Sequence, residues 1–128
     1  MEAQKHPKVR ARLPQVAYQG IQGSYGHEAS LRYFGKNADF LPCAQFANAL
    51  EAVVSGKAEH AVLPLENSTA GVVNQTLDIL VDYRCFIHGE VVLPVSHCLL
   101  APEGATLESV DEVCSHQQAL MQCSRFLG

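Results

Sequence analysis

Three stretches of this sequence hold residues able to do chemistry, and each lies where a strand would end or a helix begin. The first is Gly20-Ile21-Gln22-Gly23-Ser24-Tyr25-Gly26-His27. Its glycines let the backbone approach a ligand, and the helix that follows would offer unpaired N–H groups to an anion. An ordinary tight turn has the same composition, so both readings stand. The second runs from Pro64 to Val73 and contains the polar run Glu66-Asn67-Ser68-Thr69. A helix cap needs only one such residue. Asn67 and Ser68 can donate hydrogen bonds, while Glu66 can orient them or take a proton, a set that suits a ligand site. The third is Cys114-Ser115-His116-Gln117-Gln118, continuing to Cys123. Ser115 as N-cap with Gln118 at N3 has capping-box spacing. Alternatively, His116 at a helix start faces an anionic ligand.

Two other chemistries find less support. A zinc site drawn from Cys114, His116, Cys123 and either His97 or Cys98 has no ligand pair with finger-like spacing. A Cys–His nucleophile pair, with His27 or His116 as base, lacks any feature that marks one thiol as activated. The expectation from spacing is therefore no metal site. His60 and His88 flank strands and read as surface or edge histidines.

The elements that must position these residues alternate between strand and helix. Residues 15–20 read as a short buried strand, followed by a helix over about 26–34 that Gly35 stops. Residues 38–43 form the next strand. The helix over 45–55 has the clearest pattern: Phe46, Ala49, Leu50, Val53 and Val54 make one apolar stripe. A third strand over 60–65 ends in the polar run. A helix follows over about 72–81, then strands over 86–92 and 96–100, split by Pro94. Residues 107–113 read as a short helix or turn leading to a strand near 113–115. A final helix over 117–127 is expected to bury Leu120, Cys123, Phe126 and Leu127. This order predicts an α/β sheet with helices on its faces. Ligands of such sheets bind beyond the carboxyl ends of the strands, where the polar residues gather.

Composition narrows the function classes. Apolar residues make up 48% of the 128 and charged residues 17%, enough for one core and too apolar for intrinsic disorder. No apolar run approaches the roughly 18 residues of a membrane-spanning helix, so no membrane partner is expected. Net charge is −4, and the only basic cluster is Lys5, Lys8, Arg10 and Arg12. Residues 1–14 thus read as a tail or linker, with no nucleic-acid partner. The odd count of five cysteines, without a CxxC pair, points to reduced thiols in apolar surroundings and a cytoplasmic location.

Taken in order, four blocks resemble the prephenate dehydratase family, whose pattern the arogenate dehydratases share. They are Val16-Ala17-Tyr18-Gln19-Gly20 with Gly23-Ser24-Tyr25, Leu63 to Val73, Gly89 to Leu100, and Ser115 to Cys123. The resemblance covers residues 15–128. It departs at Gly26, where a serine is usual, and at Gln117, where a proline is common.

The resemblance implies a two-lobed fold like the type II periplasmic binding proteins, with residues 15–92 forming lobe one and 93–128 opening lobe two. It implies prephenate, or arogenate, as substrate. Prephenate carries two carboxylates and a ring hydroxyl, and loses carbon dioxide and water to become phenylpyruvate. Aromatisation drives the reaction, so the protein must hold the carboxylates and help hydroxide leave. Gly23, Ser24, Tyr25, Asn67, Ser68, Thr69, His116 and Gln118 are the expected substrate contacts, with Glu66 the only candidate for a catalytic role. The family's Thr-Arg-Phe motif, whose threonine is the favoured proton donor, is missing from these residues. Ser124-Arg125-Phe126 belongs to the preceding block and is no substitute. The chain is therefore expected to be a partial domain, inactive alone, with open apolar surface and unpaired edges that favour a homo-oligomer. A small-carboxylate binding module without turnover, or a Cys–His hydrolase, would be the other function classes.

Overall fold

Strand β1 (Gln15–Gln19) decides the architecture, because Val16, Ala17 and Tyr18 are at most 2% exposed. A strand apolar on both faces needs cover on both. Two parallel strands flank it, β2 (Asp39–Cys43) and β3 (His60–Val62), in the order β2-β1-β3. The computed structural model describes residues 12–128. Most of the basic tail expected over 1–14 lies outside the described residues.

Parallel register places Val16 beside Phe40 and His60, and Tyr18 beside Pro42 and Val62, all on one face. Helix α1 (Tyr25–Phe34) covers that face, with the His27 ring 5.2 Å from Tyr18 and 5.7 Å from Phe40, and Phe34 4.9 Å from His60. The opposite face carries Ala17, Cys43, Leu41 and Ala61 and packs against α2 (Phe46–Val54). Small residues Ala49, Ala52 and Ala58 let that helix lie close to the sheet. The apolar stripe expected on α2 is rotated: Ala52 is buried, whereas Val54 is 61% exposed.

Local chemistry sets the boundaries. Ser24 caps α1 by accepting the His27 N–H, and Gly35, at φ +65°, ends the helix. Gly26 lies directly on the end of β1, where an added Cβ would come within 2.6 Å of the Gln19 carbonyl oxygen. Ser30, fully buried in α1, donates to the Gly26 carbonyl at 2.7 Å. Strand β3 stops at Val62, three residues short of the expectation, because Pro64 cannot extend a ladder.

From Glu66 onward the structure departs from the sequence reading. The polar run does not cap a helix. It forms the antiparallel pair β4 (Glu66–Asn67) and β5 (Gly71–Val72), turned by Gly71 at φ +79°. Helix α3 (Asn74–Asp82) begins two residues later than expected and packs beside α2. The strands expected over 86–92, 96–100 and 113–115 are not formed. Apolar β-formers are present there, but a strand exists only by its ladder, and no partner is paired. Phe86, Val92 and Leu100 are accordingly more than 80% exposed. A 3-10 turn covers Leu107–Ser109, as expected of a short helix or turn. The final helix breaks at Cys123 into α4 (Gln117–Gln122) and α5 (Ser124–Leu127). Phe126 and Leu127, expected to be buried, are exposed.

The β4–β5 excursion is fastened at its base. Thr76, 1% exposed on α3, donates from Oγ1 to the Pro64 carbonyl at 2.7 Å, and the Val73 N–H donates to Leu65 at 2.9 Å. Thr76→Val preserves shape but strands that carbonyl, and should cost about 1–3 kcal/mol in urea unfolding. A variant as stable as the parent would show that the tether does not hold the excursion.

Candidate functional site

With α1 on one face of β1 and α2 on the other, the chain winds in opposite directions from the central strand. The loops leaving β1 and β3 therefore part at a topological switch point, the crevice where open α/β sheets take their ligands. Those loops are residues 20–24 and 63–73, the first two stretches selected by their chemistry. Tyr18 and Val62 are register partners two residues and one residue before their loops, so the loops depart from adjacent strands.

The first loop is closed by its own hydrogen bonds. The Gly20 N–H donates to Cys43 at 2.9 Å, and the Ser24 N–H donates to Ile21 at 3.0 Å. The Gly23 N–H donates to His27 Nδ1 at 3.1 Å, while the His27 N–H donates to Ser24 Oγ at 3.4 Å. Gly20 has φ +116° and an added Cβ would strike Ser24 Oγ, so this turn admits no side chain there. Ser24 is half-buried, and Gly23 and Tyr25 are exposed. Tyr25 reaches outward: its hydroxyl donates to the Ser96 carbonyl at 3.2 Å, and its ring meets His97 edge-on at 6.4 Å. His97 Nε2 in turn pairs with Gln122 Oε1 at 2.7 Å.

In the second loop Asn67 is half-buried and its Oδ1 accepts the Thr69 and Ala70 N–H groups, at 2.8 and 3.1 Å. This side-chain turn shapes the tip between β4 and β5. It consumes the amide oxygen and leaves the Asn67 Nδ2 hydrogens without a partner among the described residues. Glu66, Ser68 and Thr69 are exposed.

The third stretch is built differently from the expectation. His116, not Ser115, caps α4, its Nδ1 accepting the Gln118 N–H at 3.2 Å. Both His116 and Gln118 are exposed, and α4 packs only against α5 among the described helices and strands. The tie from α4 to the first loop runs through Gln122 and His97. Sequence reasoning passed over Gln122 and treated His97 only as a stray zinc ligand. The placement of His97 inside the Gly89–Leu100 block was the available signal.

Titratable groups add little charge here. Burial pushes the Cys43 thiol up, and burial followed by the neighbouring Cys43 does the same to Tyr18. Cys43 is thus an inert core thiol. All five cysteines are free, but Cys98 and Cys114 are exposed, against the expectation of apolar surroundings. No group of three or more His, Cys, Asp or Glu able to hold a metal occurs among the described residues. Two cavities lie elsewhere, of ≈ 340 Å³ between β2 and α2 and of ≈ 550 Å³ along residues 98–115. Neither is lined by the donors of the first two loops. A carboxylate is recognised by converging donors rather than by volume, so the switch-point loops remain the candidate site.

Comparison with known proteins gives the family. Arogenate dehydratase 2 of Petunia hybrida is 44% identical over 112 residues, covering 88% of this chain and 28% of the relative. Arogenate dehydratase/prephenate dehydratase 2, chloroplastic, of Arabidopsis thaliana is 43% identical over 112 residues, covering 88% of this chain and 29% of the relative. The chain thus spans under a third of the length of these curated relatives. The X-ray structure of prephenate dehydratase from Streptococcus mutans superposes with a TM-score of 0.51 at 35% identity, over 53% of this chain and 35% of that one. The family model for prephenate dehydratase matches residues 16–128, both switch-point loops included, and the chain belongs to that family.

Proposed function

We propose that this chain supplies the substrate-holding part of a lyase that decarboxylates and dehydrates prephenate or arogenate in phenylalanine biosynthesis. The observation that carries the reading is the coincidence of the family's matched segment with donor-rich loops on both sides of the β1/β3 crevice. Prephenate and arogenate are carboxylates, and the loops offer neutral hydroxyl, amide and backbone donors. Such donors hold an anion without a metal or organic cofactor. In this reading Gly23, Ser24 and Tyr25 contact the substrate from one side, and Asn67, Ser68 and Thr69 from the other. Glu66 orients the second group. His116 and Gln118 contribute from a second lobe of periplasmic-binding-protein type that begins near residue 93, residues 15–92 forming the first. The apolar surface around Phe86, Val92 and Leu100 is the part of the chain suited to association, including a homo-oligomer. Five free thiols suit a reducing compartment such as the cytoplasm. Among the described residues no helix is long and apolar enough to cross a membrane.

The test is a chimera of the petunia relative in which residues 16–128 of this chain replace the matching segment. Turnover of arogenate or prephenate by the chimera is expected. A folded but inactive chimera, with an active petunia parent as control, would overturn the reading.

Asn67 gives a sharper version. Asn67→Asp keeps the oxygen that accepts the Thr69 and Ala70 N–H groups but removes the donor and adds a negative charge. Asn67→Ala removes both. In the chimera each should lower kcat/KM by roughly 10- to 150-fold, about 1.5–3 kcal/mol for a lost hydrogen bond to a charged partner. Only Asn67→Ala should also lower the unfolding midpoint. Unchanged kinetics in both variants would remove Asn67 from the site.

A further inference from the structure

His27 is half-buried at the third position of α1 and takes no part in the roles assigned so far. Its surroundings are specific. The imidazole lies between the Tyr18 ring of β1 and the Phe40 ring of β2, at 5.2 and 5.7 Å. Its Nδ1 accepts the Gly23 N–H at 3.1 Å, and its own backbone N–H returns to Ser24 Oγ at 3.4 Å. This reciprocal pair is a variant of the capping box: histidine stands at N3, where glutamate or glutamine is customary, and its ring takes the N–H of Gly23, one residue before the N-cap, rather than that of Ser24.

We infer that His27 is a positioning residue for the carboxylate-binding turn, held as the neutral tautomer with its proton on Nε2. An Nδ1 that accepts a hydrogen bond carries no proton. The two aromatic contacts fix the ring, the ring fixes Gly23, and the backbone bond fixes the Ser24 side chain. The consequence concerns which donors a ligand meets. The Gly23, Ser24, His27 and Glu28 N–H groups are all taken, by His27 Nδ1, Ile21 O, Ser24 Oγ and Ser24 O. At the start of α1 this leaves the Tyr25 and Gly26 N–H groups and the Ser24 hydroxyl proton to receive a carboxylate. His27 thereby determines the donor set without touching the ligand. That last step rests on the proposed function, whereas the lock itself does not.

The test uses nitrogen-15 NMR on the 128-residue chain. A through-hydrogen-bond coupling between the Gly23 amide nitrogen and His27 Nδ1 is expected, with Nδ1 shifted as an unprotonated acceptor and Nε2 as a protonated nitrogen. An Nδ1-protonated ring, or no coupling in a folded chain, would overturn the inference. His27→Ala should speed amide exchange at Gly23 and weaken prephenate binding by about tenfold, the size of one net hydrogen bond. His27→Gln, whose side-chain oxygen can accept the same Gly23 N–H in place of Nδ1, should restore both to within about threefold. Failure of glutamine to restore exchange protection in a folded variant would also overturn it. If the coupling and tautomer are found but the parent chain binds no prephenate, the lock is supported and it is the functional reading that fails.

Discussion

The rest of the structure depends on one strand being buried from both sides. Val16 and Tyr18 need α1 above them and Ala17 needs α2 below, so β1 must be central and its neighbours must be reached by crossovers on opposite faces. That requirement creates the switch point. A chain that wound in one direction only would cover the carboxyl end of β1 with the next connection, and the loops after β1 and β3 would have no crevice between them. The site is thus a by-product of how a doubly apolar strand is covered. Its polar residues sit where the sheet needs no side chains to complete its core.

Around that strand, much was legible in the sequence. Three strands and three helices up to Asp82 were found within a few residues of their positions, helped by physical stops at Gly35, Gly56 and Pro64. The apolar stripe of α2 was nearly right, missing only that Ala52 rather than Val54 would be chosen for close approach to the sheet. The polar run at Glu66 offers a cap as well as a ligand site in the sequence, because capping and hairpin tips use the same residues. What separates the two is Gly71, whose positive φ turns the chain back into β5, and Asn67, whose oxygen serves the turn rather than a helix. Similarly, Ser115 and Gln118 had capping-box spacing, yet the imidazole of His116 takes the Gln118 N–H instead.

Past Asp82 the sequence was a poorer guide, for a different reason. Periodicity reports what a segment would bury if it had something to bury against. Residues 86–92 and 96–100 have the composition of strands but no ladder, and Phe86 at 97% exposure meets no apolar neighbour to bury it. Strand formation is a pairwise property, and a one-dimensional pattern carries only one half of each pair. The thread that reaches back from this region to the start of α1, Gln122 to His97 to Tyr25, has no periodic signature at all. It links the first switch-point loop to the segment proposed to open a second lobe.

The central claim is that the β1/β3 switch point, and not either of the two cavities, receives a carboxylate substrate. Backbone amide shift mapping of the 128-residue chain during titration with prephenate tests it most directly. The account predicts saturable shifts concentrated at Ser24, Tyr25, Gly26, Asn67, Ser68 and Thr69, with Leu41–Lys57 unmoved. Shifts centred on the lining of the cavity along residues 98–115, with the two loops silent, would contradict it.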